Sequence, residues 1–245
     1  MDTVDRIWKS VKGTFIRKTK ILKTPMLLAT AREHFNCSTL DGVDLENQGN
    51  GLTAAMHFEK RLVMNELMSG SILRRAVVSK LTLAFFYDSG WYDVDMSQAE
   101  PLTWGRNLGC DFVLKSCYEH IETHKHGYSS ASCSTNLTNS VNFNGDVMNP
   151  YFISSGMNAT ILPWCNEVTL SSRCLSDENA LGFCDLNNLH FNLEPQFQYF
   201  SKLDNVPDNQ LSSYGGRDVL ADYCPMETVS LFHILRQPVS RFDLE

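Results

Sequence analysis

Residues 51–70 read GLTAAMHFEKRLVMNELMSG and contain one of the seven histidines of the chain, His57. Its first three residues are the end of a predicted loop at residues 38–53, which contains glycines among polar residues. It continues through a charged run that begins with His57 and ends at Gly70. A single histidine in such a setting is most often an ordinary core or surface residue, so His57 gains a role only from its neighbours.

Two helices are predicted on either side of this stretch. Thr24 and Pro25 form a helix-start signal, and the helix is expected to run to about Phe35. From Ser71 to Asp88, apolar residues recur at three- and four-residue spacing, which predicts one long helix with most of its surface buried. Gly90 is expected to end that second helix.

The remaining segments predict strands and loops. Residues 6–22 alternate loosely between apolar and charged side chains, which predicts two short strands. Glycine, asparagine, serine and cysteine become frequent after Trp91, so residues 110–224 are expected to form irregular, disulfide-linked structure with short strands. Residues 129–144 are rich in serine, threonine and asparagine and predict an exposed loop. Together these elements define an α+β chain.

The eight cysteines favour an oxidising compartment. They are widely spaced without a CxxC pair, so they predict four disulfides rather than a zinc ribbon, with buried thiols as the alternative. Three N-glycosylation sequons, at Asn36, Asn136 and Asn158, also favour the secretory pathway. The formal charge of −7 argues against a general nucleic-acid-binding protein, which needs a basic surface.

The first residues do not resemble a secretion signal. Lysines and arginines interrupt residues 1–23, whereas a signal peptide needs about 7–15 consecutive apolar residues. No apolar run of about 18 residues occurs that would predict a transmembrane helix. A chain with secretory features and no entry signal is expected to be incomplete at its N-terminal side.

Residues 51–70 resemble the leishmanolysin (major surface protease) family, in which a Ser-His-Trp-Glu-x-Arg segment leads to a Glu-Leu-Met turn. By position, the resemblance implies that His57 is the third zinc ligand and that Met68 is the Met-turn residue beneath the metal. Met56 and Phe58 differ from the serine and tryptophan usual in the family. Further similarity is found in four later segments: 86–92, 99–110, 164–167 and 222–225.

The resemblance implies a fold and an activity. Residues 1–106 would be the C-terminal part of a metzincin-like catalytic unit, and residues 107–245 a disulfide-rich, mostly antiparallel β/loop domain. The activity would be that of a zinc metalloendopeptidase with one Zn²⁺ ion, acting on protein or peptide substrates. The intact protein is expected to be a monomer that is extracellular or at the cell surface, where membrane association is common in the family.

The HExxH motif is absent, because none of the seven histidines is followed by glutamate. That motif places two zinc ligands one helical turn apart and supplies the general base. This chain therefore contains no catalytic residue of its own. The alternatives to a peptidase are a non-catalytic cell-adhesion or binding module and a truncated, inactive gene product.

The family's pairing pattern implies the disulfides Cys37–Cys110, Cys117–Cys224 and Cys165–Cys184. Cys133 and Cys174 are then left, and their pairing with each other is a guess. A separate histidine cluster follows Cys117, with His120 and His124 at helical spacing and His126 beyond. It could bind a metal adventitiously, but the family assigns no metal there and a disulfide explains Cys117 better.

Overall fold

The chain forms a mixed structure of short helices and strands. The computed structural model describes residues 1–71, 76–124, 181–183, 191–202, 206–216, 218–224 and 226–228. The strands are β1 (Asp2–Ser10), β2 (Gly13–Leu22), β3 (Val43–Asp44), β4 (Leu181–Phe183) and β5 (Met226–Thr228). The α-helices are α1 (Pro25–Phe35), α2 (Lys60–Val63), α3 (Lys80–Ser89), α4 (Gly109–Leu114) and α5 (Cys117–His124). Short 3₁₀ helices occur at Met96–Gln98, Pro195–Phe197, Asp208–Ser213 and Val219–Ala221.

The first two strands form an antiparallel hairpin that carries charge on its buried face. β1 pairs with β2 along its whole length, and β3 adds to the other edge of β2. The prediction of two strands within residues 6–22 is confirmed. Arg6, Trp8 and Arg17 point inward, whereas the cross-strand pair Ile7 and Ile16 is 68% and 61% exposed. The hairpin therefore packs on the molecule through guanidinium groups and an indole ring.

Helix α1 begins at Pro25 and ends at Phe35, as its start signal predicts. Thr24 is the N-cap residue, but its side chain makes no capping hydrogen bond. The N–H groups of Met26 and Leu27 instead donate to the carboxylate of Asp88 at 3.1 and 2.9 Å. A carboxylate at the positive end of a helix is favourable, so α3 caps α1 through Asp88.

The prediction of one long helix over Ser71–Asp88 is wrong at its N-terminal end. Helix α3 begins only at Lys80, because the hydroxyl of Ser79 accepts the Leu81 N–H at 3.0 Å and caps the helix. Val77 is extended, since its N–H and C=O bond to Asn65 and Leu67 at 2.8 and 2.9 Å. The apolar spacing continues before Ser79, but the backbone at Val77 makes strand-like hydrogen bonds. Gly90 ends α3 in the left-handed region, as predicted.

An apolar core lies between α1, α3 and the segment after His57. Among its members, α1 contributes Leu27, Ala31 and Phe35, and α3 contributes Leu81 and Ala84. Phe58, Leu62 and Val63 follow His57 and are almost fully buried in the same core. Burial of apolar surface stabilises the folded state by about 25 cal/mol per Å². The core therefore stabilises the position of the segment that carries His57.

Two disulfides join the later helices to the rest of the chain. Cys37–Cys110 links the end of α1 to α4, and Cys117–Cys224 links α5 to the segment at residues 218–224. Both agree with the pairing that the family resemblance implies. The pair Cys165–Cys184, together with Cys133 and Cys174, lies outside the described residues, as do Asn136, Asn158 and the predicted loop at 129–144.

The described part of residues 107–245 is less sheet-rich than expected. It contains α4, α5 and several 3₁₀ helices, with one two-stranded antiparallel sheet formed by β4 and β5. The division of the chain at residues 106 and 107 stays a prediction. Among the described residues, no helix combines the length and apolar character needed to cross a bilayer.

Removal of the first disulfide is expected to destabilise the fold. The Cys37–Cys110 bond closes a loop of 73 residues, for which chain entropy gives about 4 kcal/mol of stabilisation. The double variant Cys37→Ala/Cys110→Ala should lose about that amount in urea denaturation. Cys37→Ala alone breaks the same bond and should come within about 1 kcal/mol of the double variant. A loss below about 1 kcal/mol in both variants would contradict a stabilising role.

Candidate functional site

His57 lies in a loop whose backbone makes two hydrogen bonds with the backbone of one residue, Glu46. The Glu46 N–H donates to the His57 carbonyl at 2.9 Å, and the Ala55 N–H donates to the Glu46 carbonyl at 2.7 Å. Ala55 has a φ of 63°, a region that residues with a side chain rarely adopt. The surrounding hydrogen bonds therefore hold the backbone before His57 in an unfavourable conformation.

The imidazole of His57 is half-buried and oriented through its Nδ1 atom. Nδ1 lies 3.2 Å from the carbonyl oxygen of Thr53. Because a carbonyl only accepts, Nδ1 carries the hydrogen, and a neutral ring then keeps a lone pair on Nε2. No hydrogen-bond partner for Nε2 is found within the described residues. A histidine that donates one ring N–H to a carbonyl while the other nitrogen is free has the usual arrangement of a metal ligand.

The structure brings Met68 next to the His57 segment. The Phe58 N–H donates to the Met68 carbonyl at 2.7 Å, and Phe58 forms a parallel bridge with Ser69. The Met68 side chain packs partly buried against the apolar core. The two residues that the family resemblance singles out, His57 and Met68, therefore lie at neighbouring points of the backbone.

A set of buried charges lies directly behind this loop. We call the following residues, each at most 5% exposed, the buried ion cluster: Arg17, Asp44, Glu46, Glu59, Arg61 and Asp222. Arg17 pairs with Asp44 at 3.3 Å, with Asp222 at 3.2 Å and with Glu59. Arg61 lies 3.4 Å from Asp222. Both guanidinium groups stack over the Trp8 ring, 4.5 and 4.9 Å from its centroid.

Two carboxyl groups of the buried ion cluster are hard to ionise. Burial raises the pKa of Glu46 to about 7, and the charge of Asp222 adds to this effect. Burial also raises the pKa of Glu59 well above its usual range, despite the opposing attraction of Arg17. Removing a carboxylate from water disfavours its charged form. The cluster therefore holds protons at pH values where ordinary glutamates have lost them.

The other predicted site residues divide into those that the structure describes and those that it does not. Asn36 is exposed at the left-handed C-cap of α1, so its sequon is accessible and its glycosylation stays a prediction. Cys117 is in a disulfide, which removes it from the histidine cluster as a ligand. His126 and the side chain of His124 lie outside the described residues.

His57 has no companion ligands in the part of the chain that the structure describes. That part contains no group of three or more histidine, cysteine, aspartate or glutamate residues that could hold a metal ion. A catalytic zinc needs three protein ligands and an open position. The Nε2 atom of His57 fits the role of one of these ligands. This sequence has no HExxH motif that would supply the other two.

Comparison with known proteins gives the family of this chain. A family model described as Leishmanolysin matches residues 2–144 and 151–231. The chain is 36% identical over 221 residues to the leishmanolysin-like peptidase of Drosophila melanogaster, covering 88% of this chain and 28% of the relative. It is 35% identical over 218 residues to that of Caenorhabditis briggsae, covering 89% and 29%.

More distant relatives include the leishmanolysin of Leishmania donovani, which is 29% identical over 206 residues, covering 84% of this chain and 27% of the relative. The chain thus spans less than a third of the length of the curated relatives it matches. The chain belongs to the leishmanolysin family, a family of zinc metallopeptidases that act on proteins or peptides.

The folding stability should depend on pH through Glu46. Its pKa rises from an ordinary 4.5 to about 7 on folding, so the native state binds a proton more tightly than the unfolded chain does. Stability from this group is therefore full below about pH 4.5 and falls as the pH rises to 7. Glu46→Gln should match the wild type near pH 5 and exceed it by about 1–3 kcal/mol at pH 8.

Urea denaturation at a series of pH values measures the stability difference between Glu46→Gln and the wild type. Burial lowers the pKa of His34, which makes stability change with pH in the opposite direction. Because both proteins contain His34, the comparison isolates the effect of Glu46. The control variant is Glu33→Gln on the exposed face of α1, which should follow the wild type at every pH. A stability difference between Glu46→Gln and the wild type that stays constant from pH 5 to pH 8 would show that Glu46 ionises normally.

Proposed function

We propose that this chain supplies His57 as one zinc ligand, and Met68 as the residue beneath the metal, in a zinc-dependent metalloendopeptidase. Family membership supports the reaction class. The observation that carries the assignment to His57 is its Nδ1 contact with the Thr53 carbonyl, which leaves Nε2 for a metal. The proximity of Met68 to Phe58 supports the second role.

Each residue would make a separate contribution to peptide hydrolysis. Zinc, when bound, supplies Lewis-acid activation of water and of the scissile carbonyl. His57 would present a neutral nitrogen in a fixed direction, because the Thr53 carbonyl holds its tautomer and ring orientation. Met68 would form an apolar floor without bonding the metal. The general base and the other two ligands would come from an HExxH helix, which this sequence does not contain.

The active enzyme would therefore be a longer polypeptide in which this chain completes the metzincin-like zinc site. Its substrates would be proteins or peptides, and it would act as a monomer outside the cell or at the cell surface. Two observations support the location: both described disulfides fit an oxidising compartment, and Asn36 is exposed for glycosylation. The chain by itself would be inactive.

The first experiment is to read the coding sequence upstream of Met1 by mapping the 5′ end of the transcript. An in-frame HExxH motif would support the peptidase. An untranslated region with stop codons would refute it for this product and leave a binding module or an inactive fragment.

The second experiment tests His57 in the polypeptide that carries the HExxH motif. His57→Ala should reduce bound zinc from about one equivalent to near zero. Loss of a partner outside the metal's own ligands already costs about 10–100-fold in affinity or activity, so loss of a ligand should lower peptide cleavage by about a hundredfold or more. Zinc content is read by elemental analysis and cleavage with a fluorogenic peptide.

The matched control is His124→Ala, which removes a histidine of the second cluster. It should keep both zinc and activity. Retention of zinc in His57→Ala together with its loss in His124→Ala would move the metal site to the histidine cluster and overturn the proposal.

A further inference from the structure

Glu66 is a fully buried carboxylate whose partners, among the described residues, are uncharged donors. Its exposed fraction is 0%, and one carboxylate oxygen, Oε1, faces the start of α3. There Oε1 accepts hydrogen bonds from the Ser79 hydroxyl at 2.9 Å, the Ser79 N–H at 3.3 Å and the Thr82 hydroxyl at 2.5 Å. Helix N-termini attract negative charge, which offsets part of the cost of burying this carboxylate.

The other oxygen of Glu66 faces away from the helix. Oε2 accepts the N–H of Met68 at 2.6 Å, and the Glu66 carbonyl accepts the N–H of Ser69 at 3.0 Å. One side chain thus closes the turn around Met68 and fastens that turn to α3. Hydrogen bonds to a charged acceptor are stronger than neutral ones.

The turn around Met68 is also connected to the His57 segment. The Met68 carbonyl accepts the Phe58 N–H at 2.7 Å, and Phe58 directly follows His57. Continuous contacts therefore run from the N-terminus of α3 through Glu66 and Met68 to the backbone beside His57. Since α3 packs firmly on α1 and in the apolar core, it is a rigid support for this chain of contacts.

We propose that Glu66 is a positioning residue for the zinc site, which fixes the Met68 turn, and through it His57, against helix α3. This inference rests on the proposed function of His57 as a ligand. Glu66 does not touch the metal. Its carboxylate is suited to the task because each of its two oxygens accepts hydrogen bonds, whereas an amide would turn its NH₂ group toward either the Met68 N–H or the N–H of Ser79.

Amide hydrogen exchange separates positioning from general stabilisation, because it reports local opening as well as global unfolding. Glu66→Gln should make the Phe58 and Met68 amides exchange about tenfold to a hundredfold faster than in the wild type, the range for one lost bond to a charged group. Exchange of the Leu28 and Leu83 amides, in α1 and α3, corrects for the change in global stability.

Thr82→Val is the matched control, since it removes one donor from Oε1 and leaves Met68 bonded to Oε2. Thr82→Val should change the hydrogen-exchange rates of all four amides by the same factor. If Glu66→Gln does not fold, Glu66→Asp takes its place, because the shorter side chain keeps the charge but cannot meet both sets of donors without movement. Phe58 and Met68 amides that change only in proportion to Leu28 and Leu83 would overturn the inference.

The zinc affinity of the HExxH-containing polypeptide distinguishes this inference from the proposed function. Glu66→Gln should weaken zinc binding by about tenfold to a hundredfold, and Thr82→Val should change it less than about threefold. Unchanged affinity in Glu66→Gln overturns the positioning role while His57 stands. Unchanged affinity in His57→Ala overturns the proposed function, whatever Glu66 does to the exchange of Phe58.

Discussion

The guanidinium groups of Arg17 and Arg61 both stack on the indole ring of Trp8, and both lie close to one carboxylate, Asp222. These two positive charges lie almost out of contact with water. Burying an ion is costly unless partners surround it, and removal of one partner from such a set costs about 3–5 kcal/mol. The whole buried ion cluster must therefore assemble together, and four separate parts of the sequence must meet for it to form.

Those four parts are the β1–β2 hairpin, residues 44–46, the segment after His57 and the segment at residues 218–224. Arg61 also donates to the carbonyls of Phe112 and Val113 at 2.9 and 3.3 Å, which extends the set to α4. The Trp8 indole donates to the Leu114 carbonyl at 3.0 Å. His57 is thus placed by charges and hydrogen bonds behind its loop and by the apolar core on the other side.

The sequence predicted correctly those helix ends and strands that are determined by residues close to them in the chain. The Thr24–Pro25 pair marked the start of α1, Gly90 marked the end of α3, and alternation marked the hairpin. The start of α3 was missed because apolar spacing does not distinguish a helix from extended backbone that buries the same residues, and Val77 is extended. The serine at position 79, a common N-cap residue before a helical run, was the available signal.

The site was predictable only through family resemblance, and then only in part. Residues 51–70 singled out His57 and Met68 as candidates, whose roles stay predictions, and the family pattern gave the two described disulfides. Nothing in the spacing of Glu46, Glu59 and Arg61 indicated a buried ion cluster, because charged residues are normally exposed and their partners are distant in sequence. Glu66 was missed for the same reason, since three of the hydrogen bonds it receives come from residues of the α3 start.

The two described disulfides follow one another along the chain without overlapping, since the first closes residues 37–110 and the second closes residues 117–224. These two described bonds close two rings in series, joined by a short bridge at residues 111–116. A single backbone cut within either ring leaves one molecule, whereas a cut in the bridge separates two. The bridge contains Leu114 and Ser116, which bond to Trp8 and to Lys9 of the hairpin, so β1 shields the one described stretch between the rings.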